Sequence, residues 1–107
     1  MFARIVESPA KIGKREELIA ILNNDLQPLL KKQPGFIDFV GLVSDNQPEL
    51  GLTMTFWDSK ANAEKFWTGP EFEKILQKMK PLMEDMRIRT FNVAVSTAHK
   101  IAAGKAA

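Results

Sequence analysis

The chain contains no cysteine and a single histidine, His99, in 107 residues. Without cysteine there is no disulfide, no thiolate metal ligand and no thiol nucleophile. One histidine removes a multi-histidine metal site within one chain and leaves little basis for a Ser-His-Asp arrangement. Charge of either sign is not in excess: 15 Lys and Arg face 13 Asp and Glu, for a net +2. The two signs are interspersed, so no basic footprint for nucleic acid is present and none is expected as a partner. No segment approaches the roughly 20 apolar residues of a membrane span. The first residues lack the basic-then-apolar pattern of a secretory leader, so a cytoplasmic protein without a membrane partner is expected.

What is present is a chain of one-domain length with 45% apolar residues, enough for a single core without staples. Its most informative stretch runs from Gln33 to Trp67. Pro34-Gly35 ends the preceding element, because proline donates no backbone hydrogen bond and glycine accepts positive φ. Phe36 to Val43 is an apolar, β-favouring run. Asp45-Asn46-Gln47-Pro48 has turn chemistry. Leu50 to Trp57 alternates with period 2, and Asp58-Ser59 then offers a helix cap.

On either side lie the matching halves. Met1 to Glu7 reads as a first strand. A helix is expected from about Lys14 to Lys32, striped by Leu18, Leu22, Leu26, Leu29 and Leu30, and bent or split at Pro28 with Asn23-Asn24-Asp25 as the point of rupture. Ser59 to Trp67 is a short helix, Thr68-Gly69-Pro70 interrupts it, and a second helix carries Phe72, Ile75, Leu76, Met79, Leu82 and Met83, its last turn distorted by Pro81. Arg87 to Thr97 is the last strand. Residues 1–97 thus form the domain, and residues 98–107 a tail.

The order β-α-β-β-α-β is that of the α+β ferredoxin-like plait, an antiparallel four-stranded sheet with both helical segments on one face. Alternation divides the sheet residues into two sets. Ala3, Ile5, Val40, Leu42, Leu52, Met54, Phe56, Phe91, Val93 and Val95 are assigned to the helix side. Phe2, Val6, Ile37, Phe39, Val43, Thr53, Thr55, Trp57 and Asn92 are assigned to the open side, together with Arg4. The open set is too apolar to face water, so a homodimer, a ligand or both must cover it. Strict alternation puts Asp38 under the helices, unless a bulge shifts the phase.

The candidate substrate-binding residues follow from that division. Trp57 and Trp67 offer flat surfaces for a planar molecule, with core packing as the plainer role for each. Phe39 adds apolar wall. Thr53 and Asn92 would supply the few oriented hydrogen bonds of a small-molecule pocket. Arg4, a charge in an apolar strand, must be paired or bind an anionic oxygen. No residue declares itself as an acid or base, and His99 in the tail reads as a surface side chain.

Gly13-Lys14-Arg15-Glu16-Glu17, Gln33-Pro34-Gly35-Phe36, Phe56-Trp57-Asp58-Ser59 and Phe66-Trp67 before Glu71-Phe72 together resemble the antibiotic-biosynthesis monooxygenase-like family of the dimeric α/β-barrel superfamily, over about residues 3 to 96. The resemblance implies a dimeric α/β barrel and, among its activities, cofactor-free oxygenation of aromatic or quinol-type molecules, with no cofactor and no metal. Haem degradation in that family uses an Asn, a Trp and a His. Trp67 matches the Trp, while Val6 and Leu76 or Gln77 stand at the other two positions, which counts against that activity. In the polyketide-oxidising branch a Trp closing strand three matches Trp57, and Thr53 stands where an Asn would be. The expected function is therefore a small cofactor-independent monooxygenase. A non-catalytic ligand-binding or stress-associated homodimer is the alternative.

Overall fold

In the computed structural model, which describes residues 1–101, the elements follow the expected order. They are β1 (Phe2–Glu7), α1 (Arg15–Ile21), a π-helical segment (Leu22–Leu26), α2 (Gln27–Leu30), β2 (Phe36–Val43), β3 (Gly51–Trp57), α3 (Lys60–Trp67), α4 (Pro70–Met79), a 3-10 turn (Lys80–Leu82) and β4 (Arg87–Asn92). The sheet is antiparallel throughout, in the order β2-β3-β1-β4. This is the ferredoxin-like plait. The expected tail falls partly on residues 102–107, which lie outside the described residues.

Local chemistry explains the boundaries. Pro28 has no N–H to give the preceding turn, and the helix accommodates this by widening to π geometry over Leu22–Leu26, across Asn23-Asn24-Asp25, before resuming at Gln27. At the Pro34-Gly35 turn, Gly35 takes φ +79, and a Cβ there would collide with the Asp58 and Asn62 side chains. The Asp58 N–H donates to the Gly35 carbonyl at 2.8 Å, tying the start of β2 to the end of β3. Ser59 caps α3, its hydroxyl accepting from the Asn62 N–H at 3.2 Å. Pro70 opens α4 after the Gly69 break, and Pro81 sits in the tightened last turn. The last strand is shorter than expected: pairing ends at Asn92, with one further bond from the Val93 N–H to the Met1 carbonyl, and Val95 is exposed.

The two sets of sheet residues are those the alternation gives, but the helices cover the other one. Phe2 and Trp57 are buried with Leu18, Leu26, Leu30, Ala63, Phe66 and Phe72 in a single core, and Val6 is buried on the same side. Register places Arg4, Thr55 and Phe39 on that same side, along with Thr53, Asn92 and Ile88. The open side instead carries Ile5, Val40, Leu42, Leu52, Met54, Phe56 and Phe91. Alternation says which residues share a face and nothing about which face the helices take. The set under the helices carries Trp57, the largest side chain of the sheet and completely buried, and its volume fills the space beneath two helical segments. Asp38 is corrected with them. Asp38 alternates in phase with Val40 and Leu42, so the same inversion puts it on the open side, where it is exposed and its carboxylate accepts from the Phe39 N–H at 2.8 Å; the bulge between Phe36 and Asp38 instead turns Phe36 to the helix side, in register with Trp57.

Candidate functional site

The central residue of β1, Arg4, stands in the sheet between Thr55 on β3 and Thr90 on β4. Pairing with both neighbours fixes its backbone, and the inversion of faces carries its side chain under the helices. Trp67 is the last residue of α3, and the Gly69-Pro70 break lets α4 set Phe72 edge-on against it, at 4.5 Å and 88°. Arg4 lies over the Trp67 ring, its Cζ 3.8 Å from the centroid. Among the described residues no carboxylate or carbonyl pairs with this guanidinium, and burial alone lowers its pKa from the usual arginine range to about 10. It remains charged at neutral pH and has no counter-charge among the described residues.

Arg4 faces a cavity of about 160 Å³ between sheet and helices. Its apolar wall is made by Val6, Leu18, Leu26, Phe72, Met79 and Met83, with Trp67 beside Arg4 and Ile88 closing the β4 side. Close by are polar atoms with no partner: the Trp67 indole nitrogen and the Thr55 hydroxyl, on the residue directly opposite Arg4 in the register. An apolar chamber with one unpaired cation and a few unsatisfied polar groups is the composition of a small-molecule site. The cavity adjoins a second, more open recess of about 260 Å³, and the two share Arg15, Leu22 and Thr53.

Arg15 holds the mouth in shape. Its guanidinium donates to the backbone carbonyls of Ser8 at 2.9 Å, Glu49 at 2.7 Å and Pro48 at 3.2 Å, pinning the β2–β3 loop to the end of β1. Gly51 is required for this approach: a Cβ there would lie 2.5 Å from the Arg15 side chain. Burial lowers the Arg15 pKa, and the nearby Glu49 charge partly opposes that. The π-helical turn brings Leu22 and Leu26 to the cavity, and Asp25 leaves it to meet Lys78 of α4 at 3.1 Å.

The structure brings Arg4, Trp67 and Thr53 to one cavity, and sets Phe39 in the adjoining recess. It does not bring Trp57 or Asn92 there. Trp57 is completely enclosed, its ring against Phe36, Phe66 and Trp67 at centroid distances of 5.6, 5.6 and 6.3 Å, so it backs the cavity wall and presents no surface to a ligand. Asn92 falls at the exposed end of β4, opposite Phe2. Sequence reasoning missed Arg15, Leu22, Phe72 and the methionines. Their apolar spacing marked most of them as helix core, and a cavity wall has the same spacing. Among the described residues no three His, Asp or Glu side chains gather as a metal site would need.

A family model described as antibiotic biosynthesis monooxygenase matches residues 1–78. No curated protein matches the sequence. Solved structures share the fold. SnoaB, a cofactor-independent oxygenase from Streptomyces nogalater, superposes with a TM-score of 0.81 at 12% identity, covering 92% of this chain and 97% of its own. A Deinococcus radiodurans protein named for the same monooxygenase class gives 0.80 at 16% identity, with 95% and 99% covered. Protein SO0527 of Shewanella oneidensis gives 0.75 at 23% identity, with 84% and 87% covered. At these identities the structures speak for the fold.

Proposed function

The chain belongs to the antibiotic biosynthesis monooxygenase family, and from that premise we propose that it is a cofactor-independent monooxygenase of a small aromatic or quinol-type molecule bound in the cleft between sheet and helices. One observation carries the reading: the unpaired Arg4 guanidinium held on the Trp67 ring inside an apolar cavity. A cation so placed is costly unless an anionic oxygen completes it. A phenol or hydroquinone that binds there loses its proton more readily, because its oxyanion gains the partner that Arg4 lacks. The electron-rich ring itself then reduces O2. A hydroquinone plus O2 yields a hydroxyquinone plus water, with one oxygen atom entering the ring and the other leaving as water. Trp67 and Phe72 hold the ring, Thr53 orients its oxygens, and the surrounding apolar wall excludes bulk water.

The test is oxygen uptake above the autoxidation rate with a panel of hydroquinones, and mass analysis of the product formed under 18O2. One labelled oxygen per product is expected. Uptake no faster than autoxidation across the panel would overturn the catalytic reading. A second reading, a non-catalytic binder of such molecules, is favoured by the make-up of the wall, whose ionisable groups among the described residues are the two guanidiniums Arg4 and Arg15. In either case we take the functional unit to be a homodimer joined through the open face of the sheet, because that face carries a contiguous apolar set with no helix over it.

A further inference from the structure

Gly41 sits inside β2, directly opposite Thr53 of β3, where a glycine weakens a strand. Nothing in the backbone asks for it. Its φ is not positive, the bulge of this strand lies elsewhere, between Phe36 and Asp38, and a Cβ at Gly41 would meet no atom within 4 Å. What the missing side chain does provide is space: Gly41 forms part of the outer recess, with Phe39, Ile19 and Gln27 around it. A strand glycine with neither a bulge nor a crowding neighbour is accounted for when a ligand passes over it.

Resting on the reading of the inner cavity as a phenol site, we propose that the outer recess beside Gly41 is a subsite for the aliphatic substituent of a one-ring phenol whose oxygen sits on Arg4. The volumes divide the molecule in this way. The inner cavity, about 160 Å³, is close to the roughly 150 Å³ that accepts a benzene ring in an apolar protein interior. A rigid second ring exceeds that volume and would have to project past Thr53, one of the residues the two spaces share. A flexible chain can turn past Thr53 and Leu22 into the outer 260 Å³, along Phe39 and over Gly41, and leave at the β2 edge. Substrates of this site are therefore single rings bearing an alkyl or prenyl-like tail, and rigid polycyclic aromatics are excluded.

The experiment is an anaerobic titration of tryptophan fluorescence with phenol, 4-hexylphenol and 1-anthrol, on the native chain and on Gly41→Leu. Trp67 forms part of the cavity wall and reports occupancy. The native chain is expected to bind 4-hexylphenol at least tenfold more tightly than phenol, and 1-anthrol no better than phenol. In Gly41→Leu the gain from the tail falls to twofold or less, while phenol itself binds as before and the thermal midpoint is no lower. Ile19→Phe, which fills the recess from the helix side without adding a fluorescent reporter, is expected to do the same and guards against misfolding of the first variant. A tail gain that survives both substitutions, or 1-anthrol binding as tightly as 4-hexylphenol, overturns the proposal. Because binding is read without turnover, a protein that shows the tail gain and takes up no oxygen keeps this subsite and loses the monooxygenase reading.

Discussion

Arg4 is where sequence and structure meet most closely. A charge in an apolar strand can be recognised from the chain alone, and so can its need for a partner. Which partner it has depends on the side the helices take. On the open side another protomer would have neutralised it; under the helices it meets the face of Trp67 and a cavity. Its depressed pKa has a definite sign. A base whose folded pKa falls below its unfolded one is destabilised as a cation by folding, and that cost is present at every pH below about 10. Replacing Arg4 by Met removes the desolvation cost of the buried charge and, acting in the opposite direction, the stacking contact worth about 1 kcal/mol. Arg4→Met is therefore expected to unfold in urea at the same midpoint as the native chain or higher, and to bind phenols at least tenfold more weakly. A loss of more than about 1 kcal/mol of stability would show that the guanidinium is a structural member and not a ligand site. The two tryptophans teach a related lesson. Both belong to one aromatic cluster, and only the helix break after Trp67 distinguishes the ring at the cavity from the ring behind it.

Elements were legible because each boundary has its own chemistry in the chain. Pro28, Pro34-Gly35, Ser59 and Gly69-Pro70 all stand where an element starts, stops or changes its turn. Two of these make quantitative statements. Gly35→Ala forces a side chain into the left-handed region and against Asp58, so it is expected to cost about 1–3 kcal/mol in chemical denaturation. Ser59→Ala removes the cap of α3 and is expected to cost about 1 kcal/mol. If Gly35→Ala were neutral, the turn that registers β2 on β3 would be looser than its geometry implies. The faces of the sheet were not legible in the same way. Both are apolar, and the usual rule that polar residues mark the outside fails when a polar-studded cavity lies inside. Thr53, Thr55 and Arg4 pointed outward for that reason. The correct cue was volume: the side with Phe2 and Trp57 needs the thicker cover.

At the scale of the whole molecule the chain is a slab of 44 × 33 × 20 Å, one sheet and one helical layer deep. A two-layer slab with apolar residues on both faces of its sheet leaves one face without cover, which is the ground for the proposed dimer. Ile5 and Met54 pair across the middle of the open face, with Val40 beside Met54 and Phe91 on the far strand. Leu42 and Phe91 are each about half exposed, at 49% and 48%. Two copies packed face to face would bury this set in one layer, as paired sheets do at about 10 Å. The inversion of faces thus moves the expected interface without removing it, and it separates the interface from the ligand cleft. A charge introduced at the centre of the open face should break the dimer and leave the cleft of each protomer intact. Met54→Lys is expected to sediment as a monomer at concentrations where the native chain is a dimer, and to keep phenol binding within about twofold, because no residue of the open-face centre lines the inner cavity. A native chain that sediments as a monomer at micromolar concentration would overturn the dimer. A Met54→Lys monomer that no longer binds phenol would mean that the second protomer helps to close the cleft.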